Sequence, residues 1–166
     1  MNKKGYIALA AVLSLSGLAT TGWLQAQPTS NAPKESSVNR ELRRLTNNKV
    51  EFRIGEKAFV VTLYDNPTAQ DLLARLPMTL KAGNYPGYDE KVIRMSKGLS
   101  MEGAPRGDDP GIPEVGYYEP GPWIALYYGH IGYWSGKVPL GKIDASVDEL
   151  RAIPDGAPVT ISRVRN

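Results

Sequence analysis

Leu63-Tyr64-Asp65-Asn66-Pro67-Thr68-Ala69, running on through Leu72 and Leu73 to Leu76-Pro77-Met78-Thr79-Leu80, is the stretch whose reading decides the fold. An apolar run ends at Tyr64, after which the Asn66 side chain can accept from the free N–H groups of a new helix, and Pro67 suits its first turn. Ala69, Leu72, Leu73 and Leu76 fall on one helical face, and Pro77 stops the helix before the next strand. One short amphipathic helix therefore packs a leucine stripe on a sheet.

Upstream of this stretch, Val50, Phe52 and Ile54 alternate with Glu51 and Arg53, and Gly55-Glu56 separates them from a second apolar run, Ala58 to Tyr64. Gly at the first position of a two-residue connection suits a type II′ turn, which makes the pair a β-hairpin. Downstream, Gly and Pro punctuate further strands at Met78 to Lys81, Lys91 to Met95, Gly116 to Tyr118, Trp123 to Tyr128, Val138 to Ile143 and Val159 to Val164. Ser146 and Glu149 form a capping-box pattern that predicts a very short second helix ahead of Asp155-Gly156. Many short strands and so little helix predict a mainly β domain, a barrel or a sandwich. The segment from Ser96 to Pro113 is too rich in Gly, Asp and Pro to be a strand throughout, and loops of this length are often functional.

The first residues have the form of a secretory signal peptide: Lys3 and Lys4, an uncharged apolar run from Tyr6 to about Leu18, then Leu24-Gln25-Ala26. Cleavage is expected after Ala26, giving a signal peptide over 1–26; an uncleaved membrane anchor is the alternative, and the one route to a membrane. Either way the domain is expected outside the cytoplasm, periplasmic or secreted. Residues 27–48, rich in Ser, Asn, Thr and Pro, read as a flexible tether, and 49–166 as the domain. With no Cys, no disulfide supports the fold and no lipid is attached through a thiol. Loss of Lys3 and Lys4 with the leader takes the formal charge from +3 to +1, which argues against nucleic acid as a partner. The basic cluster Arg40, Arg43, Arg44 and Lys49 reads as a solvated linker or short surface helix.

Few enzyme chemistries fit this composition. His130 is the only His and there is no Cys, so no Ser-His-Asp or Cys-His set assembles, and no Gly-rich phosphate loop leads into a helix. Metal binding is not expected from one imidazole and no thiolate. Asp108-Asp109 lacks the repeating oxygen ligands of a calcium loop and reads as a solvated turn. No cofactor is expected.

Aromatic density late in the chain points instead to binding. Strand alternation puts Trp123, Ala125 and Tyr127 on one face and Ile124, Leu126 and Tyr128 on the other, so one set packs inside and the other lines a groove or lies under a loop. Tyr and Trp offer large apolar area with a polar tip, as sites for peptides and small ligands require. Tyr117, Tyr127, His130, Tyr133 and Trp134 are the candidates for such a site, the last three read as residues of one loop.

The order of these motifs resembles the bacterial cyclophilin-like fold proteins. The resemblance runs from about Val50 to Val164 and rests on the hairpin into Leu63-Tyr64-Asp65-Asn66-Pro67-Thr68, the Leu76-Pro77-Met78-Thr79-Leu80 exit, Glu90-Lys91, Gly116-Tyr117-Tyr118, Leu126-Tyr127-Tyr128 and Leu140-Gly141-Lys142-Ile143. It implies a small closed β-barrel and no settled reaction, cofactor or substrate. Before Gly116-Tyr117-Tyr118, where many relatives show Gly-Asp, this chain reads Pro113-Glu114-Val115, which weakens any role assigned to that acid. Cyclophilins proper are prolyl isomerases that use an arginine in a Phe-His-Arg context, and this sequence has no such tripeptide. Phe52-Arg53 is a faint echo on the first hairpin; Arg94, between Ile93 and Met95, is the better candidate for a relocated cation. Two readings follow: a module that binds a peptide or small molecule on its aromatic face, and a prolyl isomerase that uses Arg94.

Overall fold

The computed structural model describes residues 41–164. The segment read as leader and most of the tether lie outside them. Eight strands close into an antiparallel barrel: β1 (Leu45–Ile54), β2 (Lys57–Tyr64), β3 (Met78–Asn84), β4 (Glu90–Arg94), β6 (Glu114–Tyr118), β7 (Trp123–Tyr127), β9 (Lys137–Asp144) and β10 (Pro158–Arg163). Around the barrel the order is β1-β10-β3-β4-β7-β6-β9-β2, and β2 returns to β1. Closure leaves no unpaired sheet edge. Two residues each of β5 (Gly107–Asp108) and β8 (Trp134–Ser135) form a separate ladder, here called the flap.

Local chemistry accounts for the elements. Gly55 adopts φ +59°, the left-handed sign that the hairpin turn requires. Helix α1 (Pro67–Ala74) is capped by Asn66, whose side chain accepts from the Ala69 N–H at 2.9 Å while its amide donates to the Pro139 carbonyl at 2.8 Å. That one residue both starts the helix and ties it to β9. Helix α2 (Val147–Arg151) carries the expected capping box, with Ser146 and Glu149 each bonding the other's backbone N–H.

The barrel interior is apolar. Phe52, Val61, Leu63, Ile93, Ile124, Leu126, Leu140 and Ile161 fill it, and α1 adds Ala69 and Leu72 to the same cluster. Burying a side chain such as Leu72 contributes about 1.5–3 kcal/mol. Tyr117 also points inward; its hydroxyl accepts from the Leu99 N–H at 3.0 Å, which satisfies the one polar atom it takes into the core.

Four expectations need correction. The first strand opens at Leu45, inside the stretch read as tether. Trp134, read as a loop residue, lies in β8 opposite Asp108. Asp108 is not a solvated turn residue but is buried, and it meets Arg43, which is itself only partly exposed rather than solvated. Among the described residues no helix is long and apolar enough to cross a membrane.

Candidate functional site

Since Ile93, Ile124, Leu126, Val115 and Tyr117 face inward, their neighbours in β4, β7 and β6 face outward, and register aligns those neighbours in three rows. Glu90, Tyr127 and Glu114 form the first. Val92, Ala125, Gly116 and Pro139 form the second, and Arg94, Trp123, Tyr118 and Lys137 the third. The small residues Ala125 and Gly116 in the middle row leave a trough that the Tyr127 ring fills. A Cβ at Gly116 would stand 2.7 Å from Tyr127 Cε2 and 3.2 Å from the Val138 carbonyl.

Aromatic rings crowd one end. Trp123 lies 5.2 Å from Tyr85 and 4.7 Å from Tyr118, centroid to centroid, and Trp134 stands edge-on to Tyr88 at 4.8 Å and to Tyr118 at 5.5 Å. The exposed Arg94 guanidinium sits 4.8 Å above the Trp123 ring.

Charged groups crowd the other end. Arg43 donates to Asp108 Oδ2 at 2.6 Å and to both Glu114 oxygens at 2.8 and 3.0 Å; Glu114 also accepts from the Tyr64 hydroxyl at 2.8 Å and the Gly111 N–H at 2.7 Å. Burial works against the Arg43 charge, but bonding to two carboxylates outweighs it and holds the guanidinium protonated above its usual range. Burial and the Glu114 charge push the Tyr64 hydroxyl up. The network fastens the flap to the barrel, because Asp108 belongs to the flap and Glu114 to β6.

Beside this bonded network stands an unsatisfied one, and Asp108 belongs to both. Glu90 is 0 % exposed, and Asp108, Tyr127 and Lys137 are 1 % exposed. Both Glu90 carboxylate oxygens, Asp108 Oδ1, the Tyr127 hydroxyl, Lys137 Nζ and Trp123 Nε1 have no hydrogen-bond partner among the described residues. Lys137 Nζ lies 4.3 Å from the Trp134 ring centroid and 5.1 Å from that of Tyr127. Burial raises the Glu90 carboxyl, lowers the Lys137 ammonium and raises the Tyr127 hydroxyl well above its usual value. Every partnerless buried side-chain atom among the described residues is on this face or its flap. By contrast, a cavity of about 520 Å³ beside Ile54, Glu149 and Pro154 holds none.

A family model described as the Cyclophilin-like family matches residues 52–162, more than half of the chain. The chain belongs to that family. A solution structure of a hypothetical protein from Archaeoglobus fulgidus is similar at TM-score 0.54 and 22 % identity, over 73 % of this chain and 98 % of that one. McbB in complex with tryptophan is similar at TM-score 0.49 and 14 % identity, over 70 % of this chain and only 45 % of that one. No curated protein matches. The first structure shares the cyclophilin-like fold, and at such identity shows the fold alone.

Of the residues singled out by sequence, the cyclophilin-like barrel brings Tyr127 and Trp134 together around Lys137. Tyr133 is 62 % exposed on the approach to the flap, and His130 is exposed in the same loop. Tyr117 is not brought to this face; it lies in the core. Arg94 shares the outer face through Trp123. Arg53 pairs with Glu51 at 2.7 Å, as a solvent-side strand residue does. Sequence reading missed Glu90, Lys137, Arg43, Tyr64 and the structural part played by Glu114. The available signal was a charged residue at the opening of a strand, as at Glu90 and Lys137, but a barrel's outer side ordinarily meets water and gives such a residue no emphasis.

Proposed function

We propose that this cyclophilin-like domain is a binding module that holds a peptide or small molecule on the outer face of β4, β7 and β6. The observation that carries this reading is the chain of rings Tyr85, Tyr88, Tyr118, Trp123 and Trp134, gathered outside the core at one end of this face. Clustered rings with polar tips bind by large contact area at low entropic cost. An extracytoplasmic place of work is part of the proposal; Lys3, Lys4 and the apolar run from Tyr6 support it. Tryptophan fluorescence of the full chain, titrated with a panel of Xaa-Pro and other short peptides, tests the binding reading. Saturable quenching that is lost in Trp134→Ala is expected; an unchanged signal across the panel overturns it.

One observation favours a second reading, prolyl isomerisation by Arg94. That reaction needs a cation beside an apolar surface: the barrier of about 18–20 kcal/mol falls when a donor meets the proline nitrogen as amide resonance is lost. Arg94 over Trp123 has that juxtaposition. Acceleration of Xaa-Pro isomerisation that vanishes in Arg94→Ala would establish it, and a folded protein without acceleration would remove it.

A further inference from the structure

We propose that Glu90, Asp108, Tyr127 and Lys137 form a covered recognition site for a small zwitterion of the amino-acid type, a molecule with an ammonium group, a carboxylate and an apolar side chain. The proposal rests on the binding reading of the outer face and specifies the polar part of its ligand.

The first argument is one of unmet hydrogen bonds. A buried polar group without a partner costs about 1–3 kcal/mol, more when charged, so native proteins rarely leave one, let alone several side by side. Here the four side chains are continuous: Glu90 and Tyr127 are opposed in register, Lys137 lies against the Tyr127 and Trp134 rings, and Asp108 is paired with Trp134. None of their partnerless atoms finds a partner among the described residues.

The second argument is complementarity. Arg43 already bonds Asp108 Oδ2 and both Glu114 oxygens. What remains is three carboxylate oxygens, two on Glu90 and one on Asp108, against the Lys137 ammonium, with the Tyr127 hydroxyl able to give or accept. A cation alone would leave Lys137 unmet. An anion alone would leave Glu90 and Asp108 unmet. A neutral molecule with separated poles meets both, its ammonium toward the acids and its carboxylate toward Lys137. The rings of Tyr127 and Trp134 exclude water and so strengthen each contact. Trp134 also turns an edge to Tyr88 and Tyr118, which directs the ligand's apolar side chain onto the aromatic patch. The flap above is held by two residue pairs, by the Arg43 bonds and by the Gly136 N–H donated to the Arg106 carbonyl at 2.8 Å, so entry of a ligand requires these contacts to part.

L-leucine is the probe, with 4-methylpentanoate, which lacks the ammonium group, and 3-methylbutylamine, which lacks the carboxylate, as halves of the same molecule. Calorimetry and amide chemical-shift mapping on the full chain should show leucine bound, with shifts at Tyr127, Trp134 and Lys137 and each half-molecule at least tenfold weaker. Lys137→Met and Glu90→Gln should each weaken leucine at least tenfold; if either fails to fold, the half-molecule comparison on the parent protein decides. Equal binding of leucine and 4-methylpentanoate would make the site a simple anion site and overturn the proposal. So would Trp134-dependent peptide binding with no response to leucine, an outcome that leaves the aromatic-face reading standing and assigns the buried groups to internal water. Failure of peptides and leucine alike would remove both.

Discussion

The two faces of β4, β7 and β6 are built from alternate residues of the same strands and have opposite hydrogen-bond status. Inward, Ile93, Ile124, Leu126 and Val115 bring no polar side-chain atoms, and Tyr117, the polar exception among them, is satisfied by Leu99. Outward, Glu90, Tyr127 and Lys137 are as deeply buried, and their polar atoms lack partners among the described residues. Burial by itself therefore does not distinguish core from site in this molecule; satisfaction does. The inner face has finished its chemistry on folding, and the outer face is left with chemistry to do.

The largest effect should come from the inner face. Phe52→Ala removes a fully buried ring from the barrel and should cost about 3–5 kcal/mol in urea unfolding; a loss under about 1 kcal/mol would mean that the interior is not the close-packed half of the comparison. Next comes the seam between barrel and flap. Arg43→Ala leaves Asp108 and Glu114 facing each other without their cation and should cost about 2–3 kcal/mol, the low side for a buried pair because the guanidinium keeps some contact with water. A neutral result would show the flap to be fastened by something else. Gly116→Ala should cost about 1–3 kcal/mol, since its methyl meets the Tyr127 ring in the trough. The sharper readout there is near-ultraviolet circular dichroism, where displaced tyrosine should alter the spectrum even if stability is preserved.

The smallest effect is the most discriminating. Burial holds the Glu90 carboxyl above the ordinary carboxylate range, against the pull of Lys137. The folded state thus binds that proton more tightly than the unfolded chain, and the stability it contributes, complete below the ordinary glutamate value, is lost as pH rises through the raised one. Glu90→Gln should melt higher than the parent at neutral pH, with the gap closing as pH falls toward the ordinary carboxylate range. A gap that stays constant with pH would make Glu90 a solvated surface acid and dissolve the contrast between the faces.

What could be read from sequence follows the range of the interactions. Gly55 in its turn, Asn66 at its cap and Ser146 with Glu149 are local, and each appears in the fold as its spacing requires. The alternation of Trp123, Ala125 and Tyr127 with Ile124 and Leu126 also survives, and it took the closed barrel to say which set is inside. The flap left no comparable trace, since strands of two residues have no period to detect. Lys137 and Glu90 lie one residue outside the strands expected from sequence, and nothing local marks them, because the cover over them is assembled from segments far away in the chain. Asp108 and Arg43 are 65 residues apart, and neither announces the other.

That last bond also carries mechanical meaning. Arg43 stands just ahead of β1 and outside the stretch that the family model matches, yet it bolts the flap shut through Asp108. Whatever takes hold of the chain immediately before the barrel takes hold of the joint between cover and wall, because Arg43 grips Asp108 of the flap and Glu114 of β6 at once.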